Sequence, residues 1–262
     1  MKNIMLRILS KFGYSIKKIG KNDKLIFNDI RDKEFLDIYD FCKPYTMTSL
    51  ERMYALYCSV INILLNNVKG DFVECGVWRG GSSMLIAKIL TNRGINDRKL
   101  YLYDTFEGMS EPSSNDIDFN GLSAHTLLDE NQINKENSVW CLSNLNEVKK
   151  NLISTNFSTE NTIYIKGKIE HTIPDKLPKG QIALLRLDTD WYESTKHELT
   201  YFFPKLEING ILIIDDYGHW EGCRKAVDEY LSENNIHILL HRIDYTGRIG
   251  VKTSNQNLMV NT

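Results

Sequence analysis

Two runs of this 262-residue chain place carboxylates where an apolar stretch ends: IALLRLDTD, with Asp188 and Asp190, and GILIIDDY, with Asp215 and Asp216. A carboxylate at the end of a buried run is unfavourable without a partner. Several on one edge repel unless a cation or ligand hydroxyls lie among them. Asp188 and Asp190 are two residues apart, so they share a face if the strand continues that far. Asp215 and Asp216 point apart unless the chain turns. Asp188, Asp215 and Asp216 offer three oxygen ligands on one side of a divalent ion, and an all-oxygen set favours Mg²⁺, or Mn²⁺ and Ca²⁺. Asp190 is then left to act as a base. The blander alternative is that strand-end Asp residues cap the next helix, and Asp190 before WYESTKHELTYF stands where such a cap would.

A second group of residues suits a cofactor. The run DFVECGV ends in the Gly-rich turn RGGSS, which brings Glu74, Gly76, Gly80, Gly81 and Ser82 together. This turn lacks both GxGxxG and the P-loop GxxxxGK[ST]. A dinucleotide needs its pyrophosphate at the helix start, but here acidic Glu74 precedes the turn, which better suits a ligand with an amino group and no phosphate. Asp104 ends the next apolar run, where an acid usually takes ribose hydroxyls. The combination fits S-adenosylmethionine, with adenosine by the second strand and the amino-acid end by the first turn.

Other residues carry less. His219 lies just past Asp215 and Asp216 and is open to either a substrate-facing or a structural role. His125, His197, His237 and His241 read as ordinary surface or packing residues. Trp191, Tyr192 and Trp220 flank the acidic groups and suit a sugar-stacking wall or simple packing. Cys75, among apolar neighbours, reads as core.

These residues must be held by alternating elements. DFVECGV, KLYLYDTF, TIYIKG, IALLRLDTD and GILIIDDY read as strands, and their near-continuous apolar character suits burial on both faces of a parallel sheet. SSMLIAKILTNR, LNEVKKNLIST, ESTKHELTYFFPKL and CRKAVDEYLSEN read as helices between them, which predicts an α/β doubly wound fold. HILLHRID and RIGVKT, joined through Gly247, read as an antiparallel hairpin added at the end. Residues 110–137 are polar and acidic with little periodicity, and their length predicts a lid or binding loop.

Composition narrows the rest. Lys plus Arg is 32 and Asp plus Glu 34, a net charge of −2, which gives no general attraction to nucleic acid. The five cysteines form no CxxC pair, so neither a disulfide scaffold nor a cysteine zinc site is expected, and a reducing, cytoplasmic setting fits. No apolar run approaches the ~20 residues that span a bilayer. Residues 1–24 hold seven Lys or Arg against Asp23, which leaves the remainder at a net −8. The opening is amphipathic through Ile4, Met5, Ile8, Leu9 and Phe12. Arg7 and Lys11 interrupt any signal-peptide core, so a surface or subunit-packing helix is expected, with a peripheral membrane anchor as the sharper alternative.

Taken together, YTMTSLERMYAL (45–56), FVECGVWRGGSS (72–83), YDTFEGM (103–109), IKGKIEHTIP (165–174), LRLDTDWYEST (185–195), IDDYGHWEGCRKAVDEY (214–230) and RIGVK (248–252) resemble, in order, the macrocin O-methyltransferase family. Those enzymes use S-adenosylmethionine and a divalent metal to methylate sugar hydroxyls in macrolide and aminocoumarin biosynthesis. The resemblance implies a Rossmann-like class I methyltransferase fold: a mostly parallel sheet with a carboxyl-terminal antiparallel hairpin. The expected division of the chain is a helical extension over 1–44 and a methyltransferase domain over 45–262. The resemblance also implies Asp188, Asp215 and Asp216 as metal ligands and Asp190 as general base. Glu74, Gly76, Gly80, Ser82 and Asp104 would bind the cofactor, with Thr46 and Ser49 closing over it and Gly167 to Ile169 near the adenine.

The resulting expectation is methyl transfer from the sulfonium to a sugar hydroxyl, with the metal lowering the hydroxyl pKa and Asp190 accepting its proton. The expected partner is a small-molecule sugar or glycoside, with no nucleic acid, no stable membrane insertion and a homo-oligomeric assembly. The alternatives are methylation of a catechol-like diol, a Rossmann-type nucleotide-sugar or NAD enzyme, and a non-catalytic binding protein.

Overall fold

The computed structural model describes residues 29–254 apart from Gln132, Asn134 and Ser138. The amphipathic opening therefore lies outside the described residues. The chain divides after Lys33 into an amino-terminal unit and a second unit from Glu34, which holds the sheet.

The apolar runs form the expected strands: β1 (Asp71–Cys75), β2 (Leu100–Asp104), β3 (Thr162–Lys166), β4 (Ile182–Leu187) and β5 (Leu206–Ile214). They pair in parallel, and two antiparallel strands, β6 (His241–Arg242) and β7 (Arg248–Val251), complete a seven-stranded sheet in the order β3-β2-β1-β4-β5-β7-β6. The hairpin is shorter than the sequence predicts, because residues 237–240 stay outside the ladder. Every residue of β4 is buried, which explains why it is apolar throughout except for Arg186.

The helices are α1 (Lys33–Cys42), α2 (Leu50–Leu65), α3 (Gly81–Asn92), α4 (Ala124–Glu130), α5 (Leu145–Ile153), α6 (Ile169–Thr172), α7 (Tyr192–Phe202) and α8 (Glu221–Glu233). Alternation along the strands sorts them into two cores. Val73, Cys75, Leu185, Leu187, Leu212 and Ile214 pack with Leu199 and Phe202 of α7 and Val227 and Tyr230 of α8. The intervening residues of β1 and β4, Glu74 and Arg186 among them, face the other way. There Ser83 of α3 and Thr48, just before α2, reach them.

Register builds the site. Cys75 pairs with Tyr103 on one side and Leu187 on the other, and Leu187 pairs with Ile214. The next residues, Gly76, Asp104, Asp188 and Asp215, therefore share one level at the carboxyl edge. The ladder continues across them: Gly76 N–H donates to the Tyr103 carbonyl, Asp188 N–H to that of Cys75 and Asp215 N–H to that of Leu187, each at 2.9 Å. The strand order reverses between β1 and β4, so this edge is the crevice where doubly wound sheets bind ligands.

Gly76 is the tightest point. Its φ is +80°, and a Cβ there would run into the Asp188 carbonyl. Gly76→Ala is expected to lower the thermal unfolding midpoint and abolish cofactor-induced stabilisation. The left-handed conformation alone costs about 1–2 kcal/mol in an L-residue, and separating β1 from β4 adds to it. Differential scanning fluorimetry with and without S-adenosylmethionine checks both.

Candidate active site

A cavity of about 430 Å³ opens at this edge, within the roughly 300–1,000 Å³ typical of ligand sites. Of the residues singled out from sequence, Thr46, Gly76, Ser82, Asp104, Gly167, Ile169, Asp188, Asp190 and Asp216 line it. His219, Trp191 and Trp220 line it too.

Asp190 is the most unusual of them. β4 ends at Leu187, so Asp188 and Asp190 lie on a turn rather than on one strand face. Asp190 has φ +66°, the left-handed region, where few residues other than Gly, Asn and Asp are found. Its Oδ1 accepts the Trp220 indole N–H at 2.6 Å. The capping alternative is not what the structure shows. The residue capping α7 is Trp191, without a side-chain bond, and the Tyr192 N–H instead donates to Asp116 Oδ1 at 2.8 Å. Burial pushes the Asp190 carboxyl up to about 6, against the pull of the Trp220 bond. Burial also holds Asp188 and Asp216 well above the usual carboxylate range. Strain of this kind persists where the surroundings fix it, which is common at functional sites.

Four of the expected residues sit elsewhere. Glu74 is 1% exposed and lies behind the turn. It accepts the Arg186 Nη1–H at 2.6 Å and the Ser83 hydroxyl, so its charge is matched by Arg186 rather than offered to a ligand amine. Ser49 is the N-cap of α2, accepting the Arg52 N–H, and its hydroxyl donates to Asp244 Oδ2 at 2.7 Å. Gly80, at φ +89°, fits the start of α3 closely against Leu152. Asp215 lies just beneath the cavity floor, where its Oδ2 accepts from Arg52 Nη1 at 2.6 Å and Arg186 Nη2 at 2.7 Å.

Asp104 lines the cavity with less free capacity than expected. Its Oδ2 accepts the N–H groups of Val77 at 2.6 Å and Trp78 at 3.1 Å, and Oδ1 that of Phe106 at 2.6 Å. A carboxylate has about four acceptor sites. Backbone N–H groups take three of these, and the Thr105 hydroxyl lies 3.4 Å from Oδ1 while also meeting the Gly108 carbonyl at 2.6 Å, so Asp104 has at most one place for a ribose hydroxyl rather than two.

Sequence reasoning passed over the two arginines that organise this edge. Arg186 bonds Glu74, Asp188 Oδ2 at 2.8 Å and Asp215. Arg52 of α2 bonds Asp215 and, at 3.0 Å, Asp244 in the β6–β7 turn. Burial works against the charge of each, and the surrounding carboxylates more than offset it. A lone arginine inside the apolar run IALLRL was the available signal, since a charge there needs a buried partner.

The donor chemistry of the acidic group is of the kind a hard cation takes. Glu74, Asp188, Asp215, Asp216 and Asp244 gather about Arg52 and Arg186, more carboxyls than guanidiniums. Asp215 Oδ1 is buried and accepts no hydrogen bond. The Asp190 and Asp216 carboxyls lie within hydrogen-bonding reach of each other. The donors are all oxygen. Among the described residues, no group of three or more His, Cys, Asp or Glu side chains is placed to hold a metal ion as it stands.

Of the polar segment, residues 110–123 are tied onto this side. Asp116, 1% exposed, accepts the N–H and hydroxyl of Ser113 as well as the Tyr192 N–H. Asp118 pairs with Trp220 in an isolated bridge, and Trp191 Nε1–H donates to the Ser110 carbonyl at 3.0 Å. The two indoles pack edge to face at 4.9 Å and are nearly buried, so they form a wall more than an open stacking platform. Tyr192 points away and donates to Glu229.

The sheet order, the glycine turn after β1 and the acids beyond β4 and β5 define a class I, Rossmann-like methyltransferase. The chain belongs to the macrocin O-methyltransferase family, whose profile, described as Macrocin-O-methyltransferase (TylF), matches residues 19–250. It is 34% identical over 203 residues, 78% of this chain and 74% of the relative, to 8-demethyl-8-(2,3-dimethoxy-alpha-L-rhamnosyl)-tetracenomycin-C 4'-O-methyltransferase of Streptomyces olivaceus. Identity and coverage are the same for demethyldecarbamoylnovobiocin O-methyltransferase of Streptomyces niveus. The solved O-methyltransferase NovP superposes with a TM-score of 0.69 at 32% identity, covering 80% of this chain and 83% of that one. A calicheamicin methyltransferase shares the fold at 20% identity and a TM-score of 0.56, covering 95% and 92%.

Proposed function

We propose that this enzyme transfers a methyl group from S-adenosylmethionine to a hydroxyl of a sugar or glycoside, with Asp190 as general base and a divalent cation, Mg²⁺ by its donor chemistry, held by Asp188, Asp215 and Asp216. The observation that carries the reading is Asp190: a half-buried carboxyl in a left-handed turn, held by Trp220 and lining the cavity. The relatives named for rhamnosyl-tetracenomycin and novobiocin substrates support the sugar acceptor.

S-adenosylmethionine supplies an electrophilic methyl group. Gly76, Ser82 and Thr46 shape the end of the cavity nearest α3, and Gly167 and Ile169 its β3 side. These are the surfaces assigned to the donor, with Asp104 bracing the turn and taking one ribose hydroxyl. A bound divalent cation would lower the pKa of an acceptor hydroxyl and orient a vicinal diol. With Oδ1 of Asp190 held by Trp220, Oδ2 is left to receive the proton as the acceptor oxygen takes the methyl group. The nearly buried, edge-to-face pair Trp191 and Trp220 keeps water from this side. Residues 110–137 are assigned as the cover over the acceptor.

The test is incubation with labelled S-adenosylmethionine, MgCl₂ and a panel of glycosides, followed by mass analysis. Label in a sugar hydroxyl is expected, and excess EDTA is expected to reduce incorporation at least tenfold, with added Mg²⁺ restoring it. Undiminished transfer in EDTA refutes the cation. Label on catechols but on no glycoside refutes the sugar acceptor.

A further inference from the structure

Three aromatic side chains from separate segments meet at the cavity mouth, and the methyl-transfer chemistry above uses none of them. Phe119 comes from the segment over the acceptor side, His219 from the loop after β5 and Tyr245 from the β6–β7 turn. Ring centroids are 5.2 Å apart for Phe119 and His219, 5.8 Å for Phe119 and Tyr245, and 6.0 Å for His219 and Tyr245. His219 also packs edge-on against Trp220 at 4.9 Å, and Trp220 is the residue that holds Asp190. His219, Trp220 and Tyr245 line the same cavity as Asp190 and Asp216.

These rings are exposed yet anchored. Phe119 is 57% and Tyr245 52% exposed. Their backbones are fixed from below. Asp118 pairs with Trp220, and its Oδ1 accepts the N–H groups of Asn120 and Leu122 at 2.9 and 2.8 Å, which sets the turn carrying Phe119. Asp244 Oδ1 accepts the N–H groups of Thr246 and Gly247 at 2.9 and 2.7 Å, while its Oδ2 is held by Arg52 and Ser49. Gly218 N–H donates to the Thr246 carbonyl at 2.9 Å, and a Cβ on Gly218 would overlap the Tyr245 carbonyl. Rigid exposed aromatics beside a polar cavity mark a binding surface.

The chemistry of the trio narrows its ligand. Two of its polar atoms are joined, His219 Nδ1 and the Tyr245 hydroxyl lying 3.1 Å apart, which leaves His219 Nε2 as the polar atom beside the rings. What faces outward is ring surface. The charged groups acting on it are the carboxylates of Asp118, Asp216 and Asp244 and one cation, Arg52, which is already paired with Asp215 and Asp244, so the balance disfavours a phosphate. We propose that Phe119, His219 and Tyr245 form a subsite for a flat apolar group carried by the acceptor glycoside, an aryl aglycone rather than a nucleoside diphosphate. The assignment rests on the reading of Asp190 as the residue facing the acceptor hydroxyl.

The experiment is calorimetric titration of the full chain, with MgCl₂ and S-adenosylhomocysteine present. The probes are matched p-nitrophenyl and methyl α-L-rhamnosides and β-D-glucosides, together with uridine diphosphate glucose. For at least one sugar, the p-nitrophenyl glycoside is expected to bind on the order of tenfold tighter than its methyl partner, the value of two aromatic contacts. Phe119→Ala and Tyr245→Ala are expected to bring that ratio below about threefold, and Phe119→Trp to keep it. Thermal unfolding reports that each variant is folded. A ratio near one in the wild type, a ratio unchanged by both alanine variants, tighter binding of uridine diphosphate glucose, or no binding of any aryl glycoside overturns the subsite. Methyl transfer is not read here. Aryl selectivity without transfer overturns the catalytic reading alone, and transfer without aryl selectivity overturns the subsite alone.

Discussion

Asp190→Asn lowers turnover by roughly 10²- to 10⁴-fold, the usual contribution of a positioned general base, and leaves S-adenosylmethionine affinity close to that of the wild type. Asn is the informative substitution. It tolerates the left-handed conformation at φ +66°, and its amide oxygen still accepts the Trp220 N–H that Oδ1 now receives. The shape of the turn survives and the proton acceptor does not. Asn also removes one charge from a group that includes Asp188, Asp215 and Asp216. The thermal midpoint of the EDTA-treated variant is therefore expected to equal or exceed that of the wild type. A damaged fold would move stability the other way, so the two readouts separate chemistry from structure. The pH dependence has a definite sign. The base works only when ionised, and burial holds its pKa up at about 6. Wild-type kcat/KM therefore falls as pH drops through about 6, or through a lower value once a cation lies beside it. The residual rate of the Asn variant lacks this limb. Single-turnover methyl transfer across pH, with calorimetric titration of S-adenosylmethionine, measures each quantity. A variant that loses donor affinity along with its rate would show that Asp190 holds the pocket together instead.

The fold was legible because burial on both faces writes continuous apolar runs. The runs ending in Cys75, Leu187 and Ile214 announced a parallel sheet, and their acidic ends announced its functional edge. What the sequence could not show was which carboxylates reach the cavity. That depends on register and on partners far away in the chain. Glu74 faces Arg186 because the two are paired across β1 and β4, and the side of the sheet they share is closed by α2 and α3. Asp104 looked free because its partners are backbone N–H groups of Val77, Trp78 and Phe106, which carry no sequence signature. Only the family resemblance points Ser49 at the cofactor, and in the structure its hydroxyl caps α2 and bonds Asp244. The aromatic trio was legible only in part: His219 stood out beside the acids, but Phe119 and Tyr245 meet it through two loops whose paths are fixed by Asp118 and Asp244.

The largest effect on stability is expected from Arg186→Met, about 3–5 kcal/mol by the measure of breaking buried ion pairs. Arg186 is 2% exposed, and its guanidinium lies between Glu74 and Asp215, each 1% exposed. Methionine fills much of the volume but leaves Glu74 with the Ser83 hydroxyl as its remaining hydrogen bond. Asp215 keeps Arg52, so the deficit centres on Glu74. The double variant Arg186→Met, Glu74→Gln should recover much of the loss, since a neutral amide needs no counter-charge. The single variant should recover as pH is lowered. Burial already raises the Glu74 pKa, and Arg186 is the largest force opposing that. Without Arg186, protonation of Glu74 becomes the way to keep it buried, and the instability appears as pH rises through its folded-state pKa. Urea titration at several pH values measures both trends. Equal losses at every pH, or no recovery in the double variant, would show that Arg186 stabilises through packing alone. The same guanidinium bonds Asp188 at 2.8 Å, so methyl transfer is expected to fall even where the single variant remains folded. Asp188 and Asp215 would then repel each other at the floor of the cavity, with Arg52 the cation still bonded to one of them.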